Sequence, residues 1–306
     1  MNISLQTHRN LYIEYEDALQ FLKKVKISEN SFETNFHVYS EIKTERELLC
    51  LESFLATQNL NKSKLFLWSD YDVTENELLK PYKKHINFRI YDPIKESQGT
   101  PLENFTECLT QRDEKYYLNS DLFRLLICYK YGGCFVDMDI VFLRSFEPLL
   151  ENEFLYMWGS ELDFENFGCC GSVMNLKKES ELGKMFLEEI KSTPSIPNST
   201  SWGLSLFAKV YRKKPFQVLP GFFFNVEWNM ASPLSKNAKQ NEDLNRTIQS
   251  QWFSNPLQNN EHLFLESFAW HWHNSSNKNK PNVLGSKYDI LSKLIHSKLK
   301  QKNIIE

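Results

Sequence analysis

The sequence predicts an α/β protein with a mixed, mainly parallel sheet flanked by helices. Three short apolar segments, residues 35–39, 64–68 and 86–91, have the length and composition of buried strands. Helix-sized segments separate them, as in right-handed βαβ units, which place consecutive strands parallel. At 306 residues the chain is long enough for one large domain of this class or two ordinary ones.

The composition excludes several other classes of protein. Hydrophobic residues make up 41% of the chain and charged residues 25%, which is typical of a folded core and not of a disordered or collagen-like chain. The net charge of −3 argues against a basic nucleic-acid binder, so we expect no nucleic-acid partner. No run reaches the roughly 20 apolar residues of a spanning helix, and the start lacks a secretory pattern. We therefore expect a cytoplasmic protein.

The cysteines show no metal-ligand spacing, and most lie in apolar runs. We expect reduced thiols in the core, which also favours the cytoplasm. The neighbours Cys169 and Cys170 could form a redox pair, but a strand or turn of small residues is the favoured interpretation. The six cysteines are Cys50, Cys108, Cys128, Cys134, Cys169 and Cys170.

The amino-terminal part of the chain is predicted to be helical before the first strand. Residues 1–30 form a helical lead-in because they contain an amphipathic stretch. A helix over 44–57 connects the first two strands, with Leu48, Leu51 and Leu55 on its inward face.

The segment 121–130 has four apolar residues at the spacing of a buried helical stripe. Asp121, Arg124 and Cys128 share another face of the same helix. The pair Gly132–Gly133 ends the helix, because glycine accepts the left-handed backbone needed there. A strand over 134–143 follows.

Beyond residue 150 we predict further elements of both kinds. The strands are 154–158, 171–176 and 216–219, the helices are 181–191 and 204–213, and residues 229–260 form a polar surface excursion. The tail, 288–302, is a basic amphipathic helix. It could contact an anionic membrane or pack as an ordinary terminal helix.

Asp137 and Asp139 interrupt the apolar strand 134–143. Residues at i and i+2 of an extended segment point to the same side, so both carboxylates can face one cation. Two buried negative charges are costly unless something positive neutralises them, and carboxylate oxygens suit Mg²⁺ or Mn²⁺. The alternative is that both acids turn into solvent at the end of the strand.

Asp121 and Arg124 lie just before this acidic pair in the sequence. Ligands of open α/β sheets bind outside the carboxyl ends of the strands, so these polar groups can converge on one site. There Arg124 would face a phosphate or sugar and Asp121 would accept a hydroxyl. The alternative is a charge at the helix N-terminus and an i, i+3 ion pair.

Two motifs resemble those of a known family. SDLFR at residues 120–124 and YGGCFVDMD at residues 131–139 resemble the S-D-x-x-R and Y-G-G-x-Y-x-D-x-D core of sugar-nucleotide glycosyltransferases with the DXD sugar-binding region. This family includes the yeast mannosyltransferase group, the α-1,4-galactosyltransferase group and the glucosylating clostridial toxins. FAWHWHNSS at residues 268–276 is similar to the A-x-H-x-W segment near the end of the α-1,4 group, with His273 where that pattern has tryptophan.

The resemblance implies a GT-A (Rossmann-like) fold over residues 31–280, between the lead-in and a carboxy-terminal helix over 281–306. It implies a metal-dependent transfer of a sugar from a nucleotide sugar, most simply a UDP-sugar, to a glycan, lipid-linked or protein acceptor. The anomeric configuration would be retained, through an oxocarbenium-like sugar and without a protein nucleophile. Mn²⁺ or Mg²⁺ would stabilise the departing diphosphate.

The resemblance also implies roles for individual residues. Asp139 would bind the metal directly, and Asp137 would bind it through water or bind the ribose and sugar. Asp121 and Arg124 would hold hydroxyls of the donor sugar. The remaining implied contacts are His271 with the metal or diphosphate, Tyr39 with the nucleotide base, and His273 as a weaker ligand candidate. For Tyr39 a plain core position is an equal alternative, and for His273 an acceptor or core position is.

Acceptor contacts are open to two interpretations. Glu161, Asp163 and Glu165 could orient the acceptor or form a solvated loop. Several aromatic residues could stack on acceptor sugars or belong to the core, namely Trp158, Trp202, Phe222, Phe223, Phe224 and Trp228.

Two other functions compete with transfer. Residues 137–141 also fit the D-x-D-x-V nucleophile strand of haloacid-dehalogenase-like phosphatases. That fold has the motif on its first strand and needs a later Gly-Asp pair, which this sequence lacks. A catalytically inactive module that binds sugar nucleotides or glycans is the other alternative.

Overall fold

The structure is a computed structural model that describes residues 23–24, 33–111, 117–157, 169–192, 201–225 and 265–306. Residues 23–24 are helical, and the rest of the predicted lead-in lies outside the described residues, as does the predicted excursion over 229–260.

The described strands follow the predicted ones, except that the predicted strand 134–143 is divided into two and that the strand over 269–271 was not predicted. They are β1 (Thr34–Tyr39), β2 (Ser63–Ser69), β3 (Ile86–Ile90), β4 (Gly133–Val136), β5 (Ile140–Phe142), β6 (Phe154–Met157), β7 (Cys169–Leu176), β8 (Val218–Leu219) and β9 (Ala269–His271).

The five long helices lie where the apolar spacing predicted them, and three short helices over 93–97, 106–109 and 274–277 were not predicted. The α-helices are α1 (Glu45–Thr57), α2 (Pro93–Ser97), α3 (Thr106–Leu109), α4 (Tyr117–Tyr131), α5 (Glu181–Lys191), α6 (Leu204–Lys213), α7 (Asn274–Asn277) and α8 (Lys287–Gln301), and 3-10 turns cover Glu77–His85, Glu147–Leu149 and Gly221–Phe223.

Seven strands form one sheet in the order β3-β2-β1-β4-β7-β6-β8. The pairs β3–β2, β2–β1, β1–β4 and β6–β8 are parallel, whereas β4–β7 and β7–β6 are antiparallel. The mixed, mainly parallel sheet predicted from the sequence is therefore confirmed. Because β1, β2 and β4 run parallel, their carboxyl ends meet at one edge.

A two-stranded antiparallel sheet joins parts of the chain that are far apart in sequence. Its strands are β5 and β9, and Ile140 lies opposite His271. This pairing brings residues 269–271 next to the end of β4, where the acidic motif lies.

Helices cover both faces of the large sheet. On one face α4 packs on β1, β4 and β7 and contacts α5, which in turn contacts α6. On the other face α1 lies against β5 and α8. The side chains of Leu291, Ile295 and Leu299 are the buried stripe of α8. Since α8 buries these side chains within the protein, its packing gives no support to a membrane contact.

The turn after α4 requires glycine at two consecutive positions. Gly132 and Gly133 have φ values of +69° and +111°, in the left-handed region. A Cβ atom on Gly133 would overlap the carbonyl oxygen of Asn35 on the neighbouring strand β1. The predicted helix end is confirmed, and the turn allows β4 to enter the sheet directly beside β1.

One sequence interpretation was wrong. Residues 134–143 were expected to form a single strand with Asp137 and Asp139 pointing the same way. Instead β4 ends at Val136, residues 137–139 form a turn closed by the Ile140 N–H donating to the Asp137 carbonyl (3.1 Å), and β5 then begins. The turn takes the two acids out of the sheet, where burying unpaired carboxylates would be costly.

All six cysteines are buried and free, as expected for core thiols. None of the helices in the described part of the chain is long and apolar enough to cross a lipid bilayer.

Candidate active site

The turn carrying the two acids is held by backbone hydrogen bonds to two other strands. Its first residue, Asp137, donates its N–H to the carbonyl of Ser172 on β7 (2.8 Å). The carbonyl of Asp139 accepts from the N–H of Trp272, just after β9 (3.0 Å). The carboxylates are mostly buried but still accessible to solvent, because 24% of the Asp137 side chain and 17% of the Asp139 side chain are exposed.

Asp139 lies in a cluster of donors built by the β5–β9 pair. Its Oδ2 atom is 3.2 Å from Nε2 of His271 and accepts the N–H of Asn274 at 2.9 Å. Burial works to raise the pKa of Asp139, but His271 and the Asn274 N–H outweigh burial and hold this pKa well below its ordinary value. Burial alone would lower the pKa of His271, yet the charge of Asp139 raises it. The carboxylate of Asp139 is therefore ionised.

Arg124 faces both remaining acids of the site. Its Nη2 atom is 3.0 Å from Oδ1 of Asp121 and 3.6 Å from Oδ1 of Asp137. The guanidinium lies 4.7 Å from the ring centroid of Phe135 and donates to the carbonyl of Ser120 (3.3 Å). The i, i+3 ion pair expected as an alternative thus exists, and Arg124 extends it to the acidic turn.

The charges of this group compensate one another. Burial would lower the pKa of Arg124, but Asp137 and Asp121 raise it, so Arg124 is a cation. For Asp137 the pKa is raised, because burial exceeds the opposing effect of Arg124 and the neighbouring Asp139 adds to burial. Asp121 also packs on the start of α6, since a Cβ atom on Gly203 would lie 3.0 Å from its Oδ2.

Tyr39 lies at the carboxyl end of β1, beside a cavity of about 230 Å³. Phe123 stacks on one face of the Tyr39 ring at 4.7 Å between centroids, and the Tyr39 hydroxyl donates to Oδ1 of Asp70 at 2.5 Å. Ser69, Asp70 and Ser120 line the same cavity. Because Ser120 precedes Asp121, the cavity adjoins the Arg124 group.

His273 has an unusual backbone and a stacked ring. Its φ of 52° is left-handed, which is rare for a residue with a side chain. The ring stacks on His271 with 3.9 Å between centroids, and its Nε2 lies 3.1 Å from Oδ1 of Asn225. Imidazole lone pairs lie in the ring plane, so two stacked rings do not direct lone pairs at one ion. Burial lowers the pKa of His273, which keeps this ring neutral.

The residues present suit a divalent cation bound with few protein ligands. No three His, Cys, Asp or Glu side chains of the described ranges already form a complete metal site. Asp139 Oδ2 and His271 Nε2 are 3.2 Å apart, and adjacent ligands of an octahedral ion at about 2.1 Å are about 3 Å apart. Mg²⁺ and Mn²⁺ commonly take their other ligands from water and substrate phosphates. The pair therefore fits this kind of ion.

Two site residues were not predicted from the sequence. Tyr156 on β6 is fully buried, and its hydroxyl lies 3.1 Å from Nδ1 of His271. Asp70 follows β2 and receives the hydroxyl of Tyr39. The position of Asp70 directly after a parallel strand was a usable signal, whereas Tyr156 lies in an apolar strand that gives none.

Several predicted acceptor residues do not join the site. The side chains of Trp202 and of Phe222, Phe223 and Phe224 are buried in the core, so the core interpretation is confirmed for them. The others lie outside the described residues: Trp158, Glu161, Asp163, Glu165 and Trp228.

Comparisons with known proteins agree with this architecture. Residues 44–155 match the family model described as "Glycosyltransferase sugar-binding region containing DXD motif". A search of curated proteins finds no match. The matched region contains Tyr131 and both acids of the turn.

The solved structures that are similar to the chain include glycosyltransferases. They include PaToxG (14% identity, TM-score 0.47, 67% of this chain and 80% of that one) and apo GlyE of Streptococcus pneumoniae TIGR4 (11%, 0.49, 90% and 65%). A third is the bifunctional WbbM (11%, 0.50, 92% and 52%). The chain thus spans about two thirds of the GlyE length and half of the WbbM length, and the WbbM similarity concerns the fold alone.

The chain has an α/β fold of the GT-A type, with the acidic turn directly after β4. The match of residues 44–155 to the DXD-containing sugar-binding region confirms the resemblance found in the sequence. In this region the chain resembles enzymes that transfer sugars.

Proposed function

We propose that this glycosyltransferase moves a sugar from a nucleotide sugar to a glycan, lipid-linked or protein acceptor, with a divalent cation bound by Asp139 and His271. The observation that carries the proposal is the 3.2 Å approach of these two side chains at the end of β4. Asp137 lies in the same turn and would reach the cation through water. Mn²⁺ or Mg²⁺ would stabilise the negative charge that develops on the departing diphosphate.

Arg124 and Asp121 are proposed to hold the donor sugar. The Arg124 guanidinium is fixed by Asp121, Asp137 and Phe135, so its remaining N–H groups can donate to sugar hydroxyls without reorganisation. Asp121 accepts hydrogen bonds and can take a hydroxyl of the same sugar. Transfer with retention, which the family resemblance implies, needs no protein nucleophile.

The cavity beside Tyr39 is proposed to hold the nucleotide base. Asp70, which lines it, has only acceptor oxygens when ionised. A carboxylate can accept from the ring N–H of uracil or guanine, whereas adenine and cytosine have no such ring N–H on their pairing edge. This chemistry supports a UDP-sugar donor and leaves a GDP-sugar as the second choice.

A donor panel with and without metal tests the proposal. Purified protein would be incubated with UDP-, GDP-, ADP- and CMP-sugars in Mn²⁺, in Mg²⁺ and in EDTA, and released nucleotide would be measured. We expect slow metal-dependent hydrolysis of a UDP-sugar. Binding without release would indicate an inactive module, and preference for a phosphomonoester would indicate a phosphatase. Equal release in EDTA would contradict the proposed metal.

The cellular location of the protein is proposed from its sequence. We infer a cytoplasmic location from the six free, buried cysteines. Fractionation of cells expressing the full protein would test this inference.

A further inference from the structure

Three side chains connect His271 to Asp137 on the interior side of the candidate active site. The Tyr156 hydroxyl lies 3.1 Å from Nδ1 of His271 and is hydrogen-bonded to the thiol of Cys170. The Cys170 Sγ lies 3.3 Å from Oγ of Ser172, and the Ser172 hydroxyl is hydrogen-bonded to the Asp137 carboxylate. We name Tyr156, Cys170 and Ser172 the polar chain.

Strand geometry explains why these three residues lie in line. Tyr156 is directly opposite Cys170 in the antiparallel pair of β6 and β7. Cys170 and Ser172 are at i and i+2 of β7, so their side chains point to the same face of the sheet. The exposed fractions are 0% for Tyr156, 5% for Cys170 and 7% for Ser172. The polar chain therefore lies in the interior, where each hydrogen bond matters energetically.

The thiol of Cys170 gives the polar chain a direction. It donates to Oγ of Ser172, so the Ser172 hydroxyl proton is left for the Asp137 carboxylate. The Sγ atom of Cys170 in turn accepts from the Tyr156 hydroxyl. In this direction Tyr156 accepts the proton on Nδ1 of His271.

This direction leaves Nε2 as the nitrogen of His271 that can exchange its proton for a cation. Without a metal ion, Nε2 donates to the Asp139 carboxylate at 3.2 Å. Once that proton is displaced, the neutral imidazole keeps its proton on Nδ1 and has a lone pair on Nε2 beside the carboxylate. The interior hydrogen bonds thus prepare the outer face of the site for a positive ion.

We propose that Tyr156, Cys170 and Ser172 are positioning residues that fix the His271 tautomer and so set the divalent-cation affinity of the Asp139–His271 pair. This inference rests on the proposed metal-dependent function. Hydrogen-bond partners of metal-binding histidines change metal affinity or activity by about 10–100-fold when they are removed. The polar chain acts on His271 through Tyr156 and on Asp137 through Ser172.

Direct measurement of metal binding tests the inference. The Mn²⁺ Kd of the full-length protein would be measured by calorimetry and by electron paramagnetic resonance, without donor, at one fixed pH. We expect Tyr156→Phe to raise this Kd about 10-fold or more, because the ring stays while the hydroxyl is lost. Tyr82→Phe is the matched control, since the Tyr82 hydroxyl is also buried but bonds Glu52 away from the site.

Cys170 offers a second comparison that separates hydrogen bonding from packing. Cys170→Ser keeps a donor and an acceptor, whereas Cys170→Ala removes both, and each substitution shortens the side chain. We expect the serine variant to bind Mn²⁺ more nearly like the wild type than the alanine variant does. Thermal unfolding would verify that each variant is folded.

The outcomes distinguish the proposed metal site from the proposed role of the polar chain. A wild type that binds no Mn²⁺ would overturn the proposed metal and the polar chain together. A wild type that binds Mn²⁺ while Tyr156→Phe binds it equally well would overturn the polar chain alone. If Tyr156→Phe fails to fold, nitrogen NMR of the Mg²⁺-loaded wild type decides. A His271 proton on Nδ1 supports the inference, and one on Nε2 refutes it.

Discussion

The Nε2 atom of His271 lies 3.2 Å from the Oδ2 atom of Asp139, although the two residues belong to distant parts of the sequence. Their approach is a consequence of strand pairing, because Ile140 lies opposite His271 in the β5–β9 sheet. The residue before Ile140 is therefore fixed beside the end of β9. Tertiary structure therefore positions every ligand of this site. Substitutions in the site can be divided into those that remove a charge and those that change the shape of the site.

Asp139→Asn tests the charge at the centre of the site. Asparagine keeps nearly the same shape but loses the negative charge that a divalent cation needs. We expect transfer or donor hydrolysis to fall about 100-fold or more, in the range seen when a group that stabilises transition-state charge is removed. Activity and Mn²⁺ binding would be measured together. Wild-type activity in this variant would show that Asp139 does not bind the metal.

Arg124→Ala tests the cation that two acids share. Removing one partner of a buried ion pair commonly costs about 3–5 kcal/mol, and here the loss leaves Asp121 and Asp137 without their common partner. We expect a lower free energy of unfolding in urea and weaker donor binding. Arg144→Ala is the control, because Arg144 also lies over a phenylalanine ring, 5.0 Å from the centroid of Phe268. Equal effects on donor binding would refute a specific role of Arg124.

Gly203→Ala tests the shape of the donor-sugar site. The new methyl group would lie 3.0 Å from Oδ2 of Asp121, which is too close without movement of that carboxylate. We expect a higher KM for the donor and little change in melting temperature. Gly183→Ala provides comparable crowding away from the site, at 3.0 Å from Cδ2 of Tyr129. A donor KM unchanged by Gly203→Ala would mean that the position of Asp121 is not important for donor binding.

Local sequence signals were sufficient for most of the fold. The stripe of apolar residues predicted the position of α4, and the two glycines after it predicted where β4 begins. The acids were found because carboxylates in an apolar run are conspicuous. Their conformation was not found, since the turn over 137–139 depends on hydrogen bonds to Ser172 and Trp272, which come from β7 and from the end of β9.

The interior of the site could not be read from sequence for a related reason. Tyr156 and Cys170 lie in strands whose residues are almost all buried. Nothing in its strand marks Tyr156 as functional, and Cys170 was considered only as a member of a redox pair. Their contact exists only because β6 and β7 pair in one particular register. Register is set by tertiary packing, and a shift of one residue in either strand would turn that strand's side chain to the other face of the sheet.

His37 is a buried histidine that the sequence did not mark and that takes no part in the proposed chemistry. Its Nδ1 accepts the indole N–H of Trp68 at 3.2 Å, and its Nε2 lies 3.0 Å from the carbonyl of Gly132. These contacts need a neutral ring with its proton on Nε2. Burial lowers the pKa of His37 from 6.5 to about 4, against the opposing effect of the Gly132 carbonyl.

The low pKa of His37 predicts a loss of stability in acid. Between pH 6.5 and about 4 the unfolded chain binds a proton at this position and the folded protein does not, so stability falls as the pH falls through this window. The full difference corresponds to about 3 kcal/mol, and the stabilising contribution is complete above pH 6.5. The His37→Gln variant should be less stable than the wild type at pH 7.5, because glutamine makes a poorer contact with Trp68. Its free energy of unfolding should fall less steeply towards pH 4.5. Urea unfolding at several pH values would measure both slopes, and identical slopes in the two proteins would exclude His37 as a source of the acid sensitivity.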